Sequence, residues 1–73
     1  MKKTKIKATW HDNKLVFTHF VVKQESPFMY SVYRSALHGV PYGEIVTSGE
    51  TMAQAAKKAK LLEMGYQICL ESL

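Results

Sequence analysis

The sequence predicts one small α+β domain over residues 1–73: a three- to five-stranded antiparallel sheet with a single α-helix on one face, in the order βββ(β)αβ. Two observations carry this expectation. Up to residue 47, β-branched and aromatic residues come in short runs separated by turn formers. One later stretch, TSGETMAQAAKKAKLLEMGY (residues 47–66), holds both start and stop signals for a helix. No internal repeat, low-complexity segment or linker divides the chain.

Residues 4–10, TKIKATW, alternate strictly, with Thr4, Ile6, Ala8 and Trp10 on one side and Lys5, Lys7 and Thr9 on the other, which predicts an edge or half-buried strand. HDNK (11–14) predicts a turn, because Asp and Asn tolerate left-handed backbone and bond their own main chain. LVFTHFVVK (15–23) predicts a second strand and FMYSVYRSAL (28–37) a third, separated by QESP. The loop HGVPYG (38–43) leads into a short fourth strand, EIVT. Thr51 and Gln54 have the spacing of a capping box, and Gly65 supplies a left-handed stop, so the helix is expected over about 51–64. Its face of Met52, Ala55, Ala56, Ala59 and Leu62 packs on the sheet. Beyond it, Tyr66, Ile68 and Leu70 alternate with Gln67, Cys69 and Glu71, which predicts a closing strand.

The composition, 47% hydrophobic and 22% charged, excludes a disordered tail. The strongest apolar run, LVFTHFVV, is far shorter than the ~20 residues needed to span a bilayer, and the lysine-rich start has no apolar segment behind it as a leader would. With a lone cysteine, Cys69, these features point to a cytoplasmic protein with no membrane partner.

Strand 15–23 places apolar residues on both of its faces: Val16, Thr18, Phe20 and Val22 on one, Leu15, Phe17, His19 and Val21 on the other. One helix covers one face of a small sheet, so the second is expected to meet a partner protein, a second copy of the chain, or stacked bases, unless a loop or the N-terminal strand folds over it. The candidate partner-binding residues are Phe17, His19 and Tyr33 on that open face, with Leu61 on the outer surface of the helix; Phe28, Tyr30 and Val32 read as core. Lys3, Lys5, Lys7 and Lys14 form a basic group able to neutralise phosphates, or equally to protect an edge strand from aggregation. Lys57, Lys58 and Lys60 spread over the outer helix face, as a solvated surface would. A net charge of +4 is mild for a dedicated nucleic-acid binder.

Motifs for chemistry are sparse. His11, His19 and His38 lack the mutual spacing and the acidic or cysteine neighbours of a metal site, and GVPYG lacks the order of a phosphate loop, so no catalytic, metal or cofactor site is implied.

Gly49, Glu50, Thr51, Ala55 and Ala59, within a strand, helix and closing strand over residues 44–71, resemble the second half of HicB-like antitoxin domains. The matching positions are structural, so the resemblance implies fold. GVPYG stands where that family has a proline-glycine-cysteine segment, and 73 residues leave no room for its usual separate DNA-binding domain. The arm-binding domains of phage-type integrases and the double-stranded-RNA-binding fold offer comparable topologies. The function expected is a non-enzymatic regulator or inhibitor, of the kind a phage or mobile element encodes, that docks on another protein. The alternative is a nucleic-acid-binding module using the N-terminal lysines and the aromatic sheet face.

Overall fold

The structure, a computed structural model, describes residues 6–36 and 39–72. Five strands, β1 (Thr9–His11), β2 (Lys14–Val16), β3 (Phe20–Ser26), β4 (Met29–Ser35) and β5 (Pro41–Gly49), form one antiparallel sheet in sequential order, and the helix α1 (Met52–Glu71) packs across it. The fold is α+β in the order βββββα.

The first turn follows from its residues. Asp12 and Asn13 both take positive φ, 49° and 62°, and place His11 opposite Lys14 in a two-residue hairpin. Strand β1 is shorter than the alternation of 4–10 suggests: Ile6 lies outside it and packs against the core, and residues 4–5 lie outside the described residues.

The expected strand 15–23 is two strands. Leu15 pairs with Val22 and Val16 with Val21, so the chain reverses at Thr18–His19, where the Phe17 backbone N–H donates to the Phe20 carbonyl at 2.8 Å. A two-residue turn inverts the alternation on its far side. Leu15, Phe17, Phe20 and Val22 therefore all join the helix-side core, and Val16 and Val21 take the other face. Phe17, expected on an open face, is 5% exposed inside the core. On the next hairpin, β3 runs on to Ser26 and the turn is Pro27–Phe28, which leaves Phe28 82% exposed rather than in the core.

The core is one cluster of Phe17, Phe20, Val22, Val32, Ala55 and Ala59, edged by Ile6, Leu15, Tyr30, Met52 and Leu62. The alanines let the helix approach closely. At Gly49 the approach is closer still, since a Cβ there would stand 2.8 Å from the Ala55 nitrogen, so the end of β5 fits against the helix start only as glycine. Thr51 caps the helix by accepting from the Gln54 N–H at 3.1 Å, while the Gln54 side chain accepts from Glu50 rather than from Thr51.

The face away from the helix is closed at its centre. Val21 and Ser31 have no exposed surface, and after β4 the chain turns back, with Ala36 N–H bonded to the Val40 carbonyl at 2.7 Å, so that Gly39 lies directly on Val16. A loop folding over that face was one of the alternatives the sequence left open.

The closing strand is absent. Residues 66–71 continue α1, and Gly65 is an interior helical residue without positive φ. A single glycine costs a helix about 1 kcal/mol relative to alanine, too little to stop one whose next turn is tied across it. The tie is the Gln67 amide, which donates to Glu63 at 2.8 Å over the i, i+4 spacing. The helix ends instead at Ser72, whose backbone N–H bonds to Ile68 and Cys69 carbonyls and whose hydroxyl bonds to Ile68.

Candidate functional site

Two regions concentrate functional groups. The first is a groove of about 430 Å³ between α1 and the outer edge of β5, lined by Val46, Thr47, Lys58, Leu61 and Leu62. Strand β5 is the last strand of the sheet, and among the described residues nothing pairs with its far side. Its register breaks between Val32↔Thr47 and Arg34↔Tyr42, so residues 43–46 stand opposite Tyr33 alone and bulge outward, with Gly43 at φ 77°. The bulge carries Ile45 and Val46 into solvent, at 44% and 43% exposure. Leu61 on the helix is 60% exposed, and Ile68, two turns on, is exposed on the same flank. Lys58 lines the groove beside Leu61, its ammonium donating to the Ser48 carbonyl at 2.6 Å, which gives that lysine a structural partner.

The second region is polar. Glu63 has no exposed surface, yet it stands one turn beyond Ala59 in the row Ala55, Ala59, Glu63 that faces the sheet. Its carboxylate receives three donors. Oε1 accepts from the His19 backbone N–H at 2.6 Å, and Oε2 takes the Gln67 amide and the Nδ1 side of the His19 ring. Burial pushes the Glu63 carboxyl up, but the bonds from the His19 ring, the Gln67 amide and the His19 main chain outweigh it and hold the group below its ordinary value. Glu63 is thus a carboxylate that fixes the orientation of one imidazole. The ring lies on Tyr66, centroids 4.4 Å apart, and Tyr66 meets Phe20 edge-on at 6.1 Å. With Arg34, Ser35 and Tyr42, these three rings border a cleft of about 60 Å³.

The expected site residues are dispersed. Phe17 is core; His19 belongs to the polar cleft; Leu61 belongs to the apolar groove; and Tyr33, half-buried on the face away from the helix, donates its hydroxyl to Glu25 at 2.6 Å. That bond, with partial desolvation and the negative charge of Glu25, raises the Tyr33 phenol above its usual value. Lys7 is exposed, Lys14 is half-buried opposite His11, and Lys3, Lys5 and His38 lie outside the described residues. Cys69 is exposed on the helix rather than on a strand. Among the described residues no three His, Cys, Asp or Glu side chains gather as a metal site would require, and no helix is long and apolar enough to cross a membrane. Sequence reading passes over Arg34, Glu63, Tyr66 and Gln67. One signal was available: a carboxylate four residues after Ala59 falls inside the apolar stripe, where only a paired charge is tolerated.

Comparison of the chain with protein-family models, with characterised proteins and with solved structures finds no match.

Proposed function

We propose that the chain is a small non-enzymatic regulator or inhibitor that acts in the cytoplasm by docking on another protein through the groove between α1 and β5. The observation that supports this reading is the juxtaposition of Leu61 with Val46 beside a strand edge that nothing pairs among the described residues. An edge strand offers main-chain donors and acceptors to an added strand, and flanking apolar side chains supply the contact area that makes such pairing specific. An antitoxin-like role is one case of this reading, and a second copy of the chain is another occupant of the same edge. The nucleic-acid alternative, which needs an aromatic open sheet face beside the N-terminal lysines, draws less support, because Phe17 is internal.

The test compares the wild type with Leu61→Lys and Val46→Asp. Affinity capture from a native lysate should recover a defined protein that both variants lose while their melting temperatures stay unchanged, and sedimentation of the purified chain reports whether that partner is the chain itself. Capture unaffected by either substitution, or recovery of nucleic acid alone, would overturn the reading.

A further inference from the structure

The polar cleft has a composition that holding a turn in place does not require. We propose that the cleft formed by His19, Arg34, Tyr42 and Tyr66 is a binding site for a small oxyanion group, a phosphoryl or carboxylate group of a ligand.

The sheet places the cation. Phe20, Arg34 and Tyr42 are cross-strand partners on β3, β4 and β5, so all three project toward the helix side, with Arg34 between two aromatic rings. Tyr66 and His19 border the same space from the helix and from the β2–β3 turn. Arg34 has no ion-pair partner among the described residues. The nearest buried carboxylate, Glu63, is already committed to its three donors. A guanidinium at the mouth of a cleft, with the local carboxylate spent elsewhere, matches the planar two-point recognition of carboxylate and phosphate.

The imidazole completes the site. Glu63 engages Nδ1, and Nε2 has no partner among the described residues while the ring lies against Tyr66 and borders the cleft. In the imidazolium form both ring nitrogens donate, one to Glu63 and one to the bound group. Arg34, His19 and Glu63 then sum to one positive charge; with a neutral imidazole they sum to zero. The phenols of Tyr42 and Tyr66 border the same cleft and add hydroxyl groups to it. An oxyanion in the cleft is therefore met by the Arg34 guanidinium and by the Nε2 side of the His19 ring. At about 60 Å³ the cleft is small and has room for an oxyanion group.

Titration of the isotopically labelled chain with inorganic phosphate, and separately with acetate, in low salt tests this by NMR. The expected result is shift changes confined to His19, Arg34, Tyr42 and Tyr66, with binding weakened by about tenfold or more in Arg34→Gln, the size of a lost charge-assisted hydrogen bond. Arg34 is exposed, so that variant should keep the wild-type melting temperature. Tighter phosphate than acetate identifies a phosphoryl ligand, and the reverse a carboxylate ligand. Shifts centred on Lys57 and Lys60, affinity indifferent to Arg34→Gln, or no binding of either anion would overturn the proposal.

Discussion

From Met52 to Leu62, α1 meets the sheet through small apolar side chains, with Ala55 and Ala59 fully buried against Val22 and Val32. From Glu63 onward the same helix keeps its hold through the Glu63 carboxylate and the Tyr66 ring against His19 and Phe20, and leaves Ile68 and Leu70 substantially exposed. The first half is held by close packing, which is non-directional and spread over many atoms. The second half is held by directed bonds from a turn 44 residues away in sequence, which fix a unique position at the cost of burying a charge. Twenty helical residues extend about 30 Å, and the molecule measures 40 Å along its longest axis. The polar latch ties α1 to the β2–β3 turn beyond its alanine contacts, while Leu61 stands beside the β5 edge.

Removing the latch should have the largest effect. Glu63→Ala strips partners from the His19 main chain, the His19 ring and Gln67 together, and should cost about 3 kcal/mol, a large share of the stability of so small a domain, measured by urea unfolding. The more conservative Glu63→Gln gives the pH signature. Because the folded carboxyl lies below its ordinary value of 4.5, its contribution is present in full above that value and is lost as pH falls through the lower folded one. The stability gap between wild type and Glu63→Gln should therefore shrink as pH is taken from 6 to below 4. A gap that widens would mean that Glu63 is protonated in the fold.

The packed half is tested by overfilling it. Ala59→Leu adds volume where the helix lies against Val22 and Val32, and should cost about 2 kcal/mol through displacement of the helix. The unfolding midpoint should fall while the His19–Tyr66 ring contact, followed by NMR, is retained. Loss of that contact together with the packing would show that the two halves are not separate attachments.

What was legible in the sequence divides along the same line. Local chemistry was readable: Asp12–Asn13 turns because both residues accept left-handed backbone, Thr51 caps because its hydroxyl reaches the N–H of Gln54, and the alanine stripe packs. Decisions made by distant partners were not. Phe17–Phe20 contains no glycine, proline, Asn or Asp and neither Thr18 nor His19 takes positive φ, so nothing in that tetrapeptide announces a reversal. Its stabilising partner is Glu63. Missing that one turn assigned Phe17 to the wrong face, and missing the Gln67–Glu63 tie turned the last helical residues into an expected strand. The candidate site was legible at Leu61 and, as a single residue, at His19, but not as a cluster, because Arg34 and Tyr42 reach it only through the β3–β4–β5 register.

Gly65 sharpens the comparison from the favourable side. It is helical, and a Cβ built on it meets nothing within 4 Å. Gly65→Ala should stabilise the chain by about 0.5–1 kcal/mol, since alanine restricts the unfolded chain and favours helix without a clash. Destabilisation would mean that residues 65–71 leave the helix in solution, as the alternating pattern of Tyr66, Ile68 and Leu70 first suggests.

The smallest expected effect on stability is at Leu61. Its side chain is 60% exposed at the groove, so Leu61→Lys removes little buried area and should move the unfolding free energy by no more than about 0.5 kcal/mol. Ala59 and Leu61 lie two residues apart on the same helix, yet the first change is felt in the folded chain alone and the second should be felt only when the groove is occupied. A loss of stability at Leu61 as large as that at Ala59 would show that the groove closes on itself in solution, with Leu61 packed on Val46 and no surface left for a partner. Unchanged stability together with lost capture would place the binding energy in the groove.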